Sequence, residues 1–212
     1  MCICFHSVKL VRIIFNKSKL WTIDMRLKVI FLQTIVLVGV IKILSATYVH
    51  ADIDLLEGHP LFVAIDKQDT EKINLLLHHG VSPDIQNRKG KTGLVLGAER
   101  GNPSIVRIFI KHKASLNVRD YLGNTSMFYA ARDGNLDILW LLKKASANFN
   151  IENRQGTTPL IAASSNGRLE SVRFLVENNV DATVSDFTGR TALMWAERNN
   201  HLQVVRFLRA KP

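Results

Sequence analysis

The residues able to do chemistry are few and scattered. The histidines are His6, His50, His59, His78, His79, His112 and His201. A metal site would need them beside Cys or carboxylates at ligand spacing, and no such grouping is present. His78 and His79 close a helical run just before Gly80, and His112 stands at the matching place further on. There a histidine favours the negative end of a helix. Ser164, Ser165 and Ser171 lack the histidine and acid that would make a nucleophile. No Gly-rich phosphate loop appears. Cys2 and Cys4 are the only cysteines, and both precede Met25, so the rest of the chain has no disulfide framework. The sequence therefore implies no catalytic residue, no metal and no cofactor, and the expected protein is not an enzyme.

The glycines have another job, and their spacing says what it is. Gly90, Gly123, Gly156 and Gly189 are each 33 residues apart. In the same register lie Thr92, Thr125, Thr158 and Thr191, then Leu94, Met127, Leu160 and Leu193. Gly97, Ala130, Ala163 and Ala196 form a small-residue column. An earlier, worn copy has His59-Pro60-Leu61 and Ala64. A fixed period of this length signals a stacked array.

Each column has a physical reason. The threonine caps a first helix, and Pro159 sits where its missing N–H costs nothing. Gly101, Gly134 and Gly167 end that helix. A second helix follows, with Leu169, Val172, Leu175 and Val176 at helical spacing. Asn87, Asp120, Asn153 and Asp186, each three residues before its glycine, mark turns.

On these residues, above all Thr158-Pro159-Leu160 and Asp120 to Gly123, the chain resembles the ankyrin repeat family over residues 54 to 212. The resemblance implies an all-α solenoid of helix-turn-helix units with protruding, hairpin-like fingers. The repeats would run about 54–86, 87–119, 120–152, 153–185 and 186–212, the first and last serving as end caps. The chain departs from the family where His normally follows Thr-Pro-Leu: Phe62, Val95, Phe128, Ile161 and Met194 stand there. Gly93, Ser126 and Ala192 replace the proline. Five repeats exceed the minimum of about three for a stable stack, so a monomer suffices.

The front of the chain differs. Val29 to Ile41 is almost wholly apolar, Arg26 and Lys28 precede it, and Tyr48-Val49-His50-Ala51 follows. A basic start, an apolar core and a small residue at the end read as a secretory signal over 25–51, cut after Ala51. Residues 1–24 are then an extension or a mistaken start. A retained anchor over 29–49 is the rival, long enough to span a bilayer, although Lys42 near its middle costs roughly 3 kcal/mol. A plain buried helix is the third reading. The first two place the repeats outside the cytoplasm, either periplasmic or secreted, or else anchored to a membrane. Residues 1–51 hold 7 of the 28 Lys and Arg with one acid, Asp24, leaving a net charge of only about +4 beyond them. The net +10 of the whole chain is thus weak support for a nucleic-acid partner.

Resemblance to ankyrin binding surfaces, taken copy by copy, places the recognition residues on finger tips and outer first-helix positions. They are Arg88, Lys89, Lys91 and Arg100 in the second copy, Tyr121, Leu122, Asn124 and Arg132 in the third, Arg154 and Gln155 in the fourth, and Phe187, Arg190 and Arg198 in the fifth. Arg and aromatic residues dominate interface energy. The expected partner is a protein with an acidic, partly apolar patch. Trp140 stands where other copies have Asn74, Arg107, Arg173 and Arg206, an outward place on the second helix. It is either a second contact site or a ring lying over its neighbours. Trp195 is expected in core or cap packing.

Overall fold

The computed structural model describes residues 58–210, which hold ten helices in five pairs. The expected segments 1–24 and 25–51, including the apolar stretch 29–49, lie outside the described residues. The first helices are α1 (Pro60–Asp66), α3 (Gly93–Glu99), α5 (Ser126–Asp133), α7 (Pro159–Ser165) and α9 (Ala192–Arg198). The second helices are α2 (Thr70–His78), α4 (Pro103–Lys111), α6 (Leu136–Lys144), α8 (Leu169–Glu177) and α10 (Leu202–Ala210). Among the described residues, no helix is long and apolar enough to cross a membrane.

Each threonine starts its helix as its chemistry dictates. The hydroxyls of Thr92, Thr125, Thr158 and Thr191 accept bonds from the N–H groups of Val95, Phe128, Ile161 and Met194. In the worn first copy the His59 ring nitrogen accepts from Leu61 N–H instead, at 3.2 Å. A capped N-terminus matters because helices of seven to nine residues are marginal alone and depend on packing.

That packing comes from neighbours. First helices pack on first helices along the array, and second on second, while each pair also packs within its own copy. The small column is what lets them approach: Ala130, Ala163 and Ala196 are fully buried. Ile105, Phe109, Ile138, Leu139, Leu142, Val172 and Leu175 on the second helices complete one continuous core. The architecture is all-α and matches the expected stack.

The fingers are tied into a row by backbone bonds. Within each finger the base residue's N–H meets the carbonyl four residues on: Asn87 to Lys91, Asp120 to Asn124, Asn153 to Thr157 and Asp186 to Arg190. Between fingers, the N–H groups of Tyr121, Arg154 and Phe187 donate to the carbonyls of Lys89, Leu122 and Gln155. Glycine is needed at this crossing. A Cβ on Gly123, at φ +84°, would come 2.7 Å from Arg154 N, and one on Gly156 2.5 Å from the Phe187 ring. Gly189 has no finger after it within the described residues and meets nothing.

Candidate functional site

The finger bases are built around one acceptor atom per copy. Oδ1 of Asn87, Asp120, Asn153 or Asp186 accepts two backbone N–H groups of its own turn, at 2.8 to 3.1 Å. This fixes the tip and aims the intervening residues outward. Tyr121, Leu122, Arg154, Gln155 and Phe187 are all exposed, Phe187 by 75%.

The remaining atom of the base divides the copies into two kinds. In the third copy Asp120 Oδ2 accepts from the Tyr129 hydroxyl at 2.6 Å. In the fifth, Asp186 Oδ2 accepts from the Trp195 indole N–H at 2.7 Å. Tyr129 and Trp195 hold the same place in the period, where the second and fourth copies have Leu96 and Ala162. Those two copies carry Asn in place of Asp. An aspartate with a spare buried oxygen thus goes with an aromatic donor, and an asparagine goes without. Trp195, expected as core or cap packing, is half-buried and spans the finger and its helix.

The titrating groups respond accordingly. Burial and the bond to Asp120 push the Tyr129 hydroxyl's pKa up. Burial works against the Asp186 carboxylate, but hydrogen bonds from Thr188, Arg190 and Trp195 outweigh it and hold its pKa below the usual value.

Two residues depart from the expected surface. Lys91 is only 8% exposed. Its ammonium bonds the Glu99 carboxylate and lies 4.7 Å from the centre of the Tyr129 ring. Burial alone would lower its pKa, yet these partners leave it raised. Asn124 is 5% exposed: its amide N–H₂ donates to the Tyr129 hydroxyl and its carbonyl accepts from Asn153. Both serve the seam between copies because the aromatic donor of the third copy draws polar groups inward. They are not free tip residues.

The other cations fall into two groups. Arg100 pairs with Asp66, and Arg132 grips Asp133 with two bonds of 2.8 Å while its guanidinium stands over the Tyr129 ring. Asp133 keeps the Arg132 guanidinium firmly charged. Arg88, Lys89, Arg154, Arg190 and Arg198 make no ion pair among the described residues. Arg190 and Arg198 instead stand 5.5 and 5.1 Å from the centre of the Trp195 ring. Uncompensated charge on this face therefore gathers at the two ends of the row, Arg88 and Lys89 in the second copy and Arg190 and Arg198 in the fifth, with Arg154 between them.

Residues 61–153 match the family model of ankyrin repeats (three copies), and residues 139–212 match it again. The chain belongs to the ankyrin repeat family. No curated protein matches it. Ankyrin repeats imply a protein-binding scaffold, and the match brings no enzyme family with it. Among the described residues no cluster of His, Cys, Asp and Glu comes together that could hold a metal. His79 and His112 cap helix ends, and His112 Nε2 lies 2.8 Å from Asn74 Oδ1. Ser164 and Ser171 are buried, with hydroxyls that meet no partner.

Outside the finger face, Trp140 is 56% exposed on α6. Its ring stacks edge-on against Phe174 at 5.0 Å, with the Lys143 ammonium 4.8 Å from the ring centre. It lies against its neighbours and still fronts an open groove shared with Pro103, Arg107 and Lys144.

Proposed function

We propose that this ankyrin protein recognises another protein through its finger tips and the outer side of its first helices, with no bond made or broken. Its role is steric: it holds, shields or assembles the partner. One observation carries the reading, namely the row of exposed apolar tips, Tyr121, Leu122 and Phe187, set among Arg88, Arg154 and Arg190, which make no ion pair among the described residues. Exposed aromatic and Arg groups on a rigid row are the composition that binding surfaces favour. The partner presents an acidic, partly apolar patch.

The test reverses charge at three tips. The R88E/R154E/R190E variant of the full chain should no longer capture the partner that the unaltered chain retains from its native source. Equal recovery of the same partner by both would reject this face.

Residues 25–51 support an exported protein, periplasmic or secreted, working either among envelope proteins or on a host protein. The length of the apolar stretch 29–49 favours a second reading, a tethered form with its repeats outside the cytoplasm. Sequencing the mature N-terminus separates them: a start at Asp52 fits export with cleavage, and a retained apolar stretch fits the anchor.

A further inference from the structure

We propose that the crease between finger and first helix in the fourth copy is a socket for one large apolar side chain of an extended peptide with acidic flanking residues. The inference rests on the protein-binding reading above and names the chemistry of the segment bound.

The socket exists because one position is small. In the third and fifth copies Tyr129 and Trp195 reach to the finger base and close the crease. In the fourth, Ala162 cannot reach. Asn153 has turned its amide sideways to Asn124 instead, at 3.0 Å. What remains is a hollow of about 220 Å³ with Phe128, Ile161, Ala162 and Trp195 on its apolar side and six polar residues, from Arg132 and Asn153 to Ser165 and Asn166, on the other. That is smaller than the roughly 300 to 1,000 Å³ of pockets that enclose a whole small molecule. At about 30 Å³ per water, it holds roughly seven waters, the scale of a single side chain.

Charge chooses the flanks. Arg190 and Arg198 stand over the wall residue Trp195 with no acidic partner among the described residues. Asp186, the acid nearest that ring, is buried and already bonded to Thr188, Arg190 and the indole. Uncompensated positive charge therefore stands beside Trp195, one wall of the hollow. A carboxylate beside the anchoring side chain would meet guanidinium donors, and charge-assisted bonds of that kind are the stronger ones.

Labelled short peptides test this by fluorescence polarisation against the purified full chain. One has a central Leu between glutamates, one a central Ser between glutamates, and one a central Leu between lysines. The Leu–Glu peptide should bind about tenfold or more tightly than the Ser–Glu peptide, as expected for burying one aliphatic side chain. The Leu–Lys peptide should not bind. Ala162→Leu puts a bulky side chain into the socket and copies Leu96 at the same place of the period, so the backbone accepts it. This variant should keep the wild-type melting curve yet bind the Leu–Glu peptide no better than the Ser–Glu one. R198E should weaken both acidic peptides alike.

Unchanged Leu–Glu affinity in A162L overturns the socket, as does equal binding of the lysine-flanked peptide or no binding at all. A dimer in sedimentation that A162L dissociates would assign the hollow to a second copy of the chain and also overturn it. If the peptides fail while R88E/R154E/R190E still loses the native partner, the socket is wrong and the face stands. If the triple variant also keeps the partner, both readings fall.

Discussion

Replacing Gly93 with alanine sets helix propensity against packing, and the two give opposite signs. Propensity alone says that glycine to alanine in a helix interior gains about 1 kcal/mol, an upper bound for Gly93 at the first helical position. Packing says otherwise. A Cβ at Gly93 would lie 1.9 Å from Phe109 Cζ, with two more ring carbons within 2.6 Å. Phe109 is fully buried, so its ring has no open space to move into. Forcing an extra carbon into a filled core costs about 1 to 3 kcal/mol, and contacts this short belong at the upper end. The net expectation is a loss of about 1 to 2 kcal/mol. The other copies carry Ser126, Pro159 and Ala192 at this place, and Leu142, Leu175 and Leu208 where Phe109 stands. The glycine and the phenylalanine are thus a matched exchange of volume. F109L alone should cost on the order of 1 kcal/mol. The double variant G93A/F109L should be more stable than the sum of its parts by at least about 1 kcal/mol. Urea titration followed by circular dichroism, with fluorescence checking for one shared transition, measures all four corners. A G93A protein as stable as wild type, or a cycle additive to within about 0.5 kcal/mol, refutes the reasoning.

Three further outcomes follow from single side chains. Asp186 has a folded-state pKa below its unfolded one, so its stabilisation is full above about pH 4 and fades as pH falls through the folded value. The stability difference between wild type and D186N should be constant above about pH 4 and shrink below it; a difference independent of pH contradicts this. Y129F removes the donor to the buried Asp120 oxygen and should cost about 1 to 3 kcal/mol in urea titration; a neutral result would mean that the bond contributes nothing. S171A deletes a buried hydroxyl without a partner, where Ile105, Ile138 and Val204 stand in other copies, and should raise stability by up to about 1 kcal/mol; a lower urea midpoint would count against that.

What the sequence shows well is whatever repeats. Thr92, Thr125, Thr158 and Thr191 announce their caps because a cap is a local bond, made to an N–H three residues on. Asn or Asp ahead of each finger glycine is readable for the same reason. Tertiary partners are not readable in that way. Lys91 reads as a tip residue by its place in the period, but Glu99 and Tyr129 draw it inside. Asn124 is drawn in by Tyr129 and Asn153. One clue was available: copies with Asp at the finger base carry Tyr129 or Trp195, while copies with Asn carry Leu96 or Ala162. That pairing marks a bond spanning finger and helix. The Ala162 hollow needs walls from three successive copies, which no single repeat displays.

Site-specific photo-crosslinking in the native setting tests partner recognition most directly. A benzophenone side chain is placed at Tyr121 or Phe187 on the finger tips, or at Arg173 or Arg206 on the outer second helices. Recognition by the finger face predicts a common adduct of one size from positions 121 and 187, and none from 173 and 206. The same adduct from 173 and 206, with positions 121 and 187 silent, would contradict it.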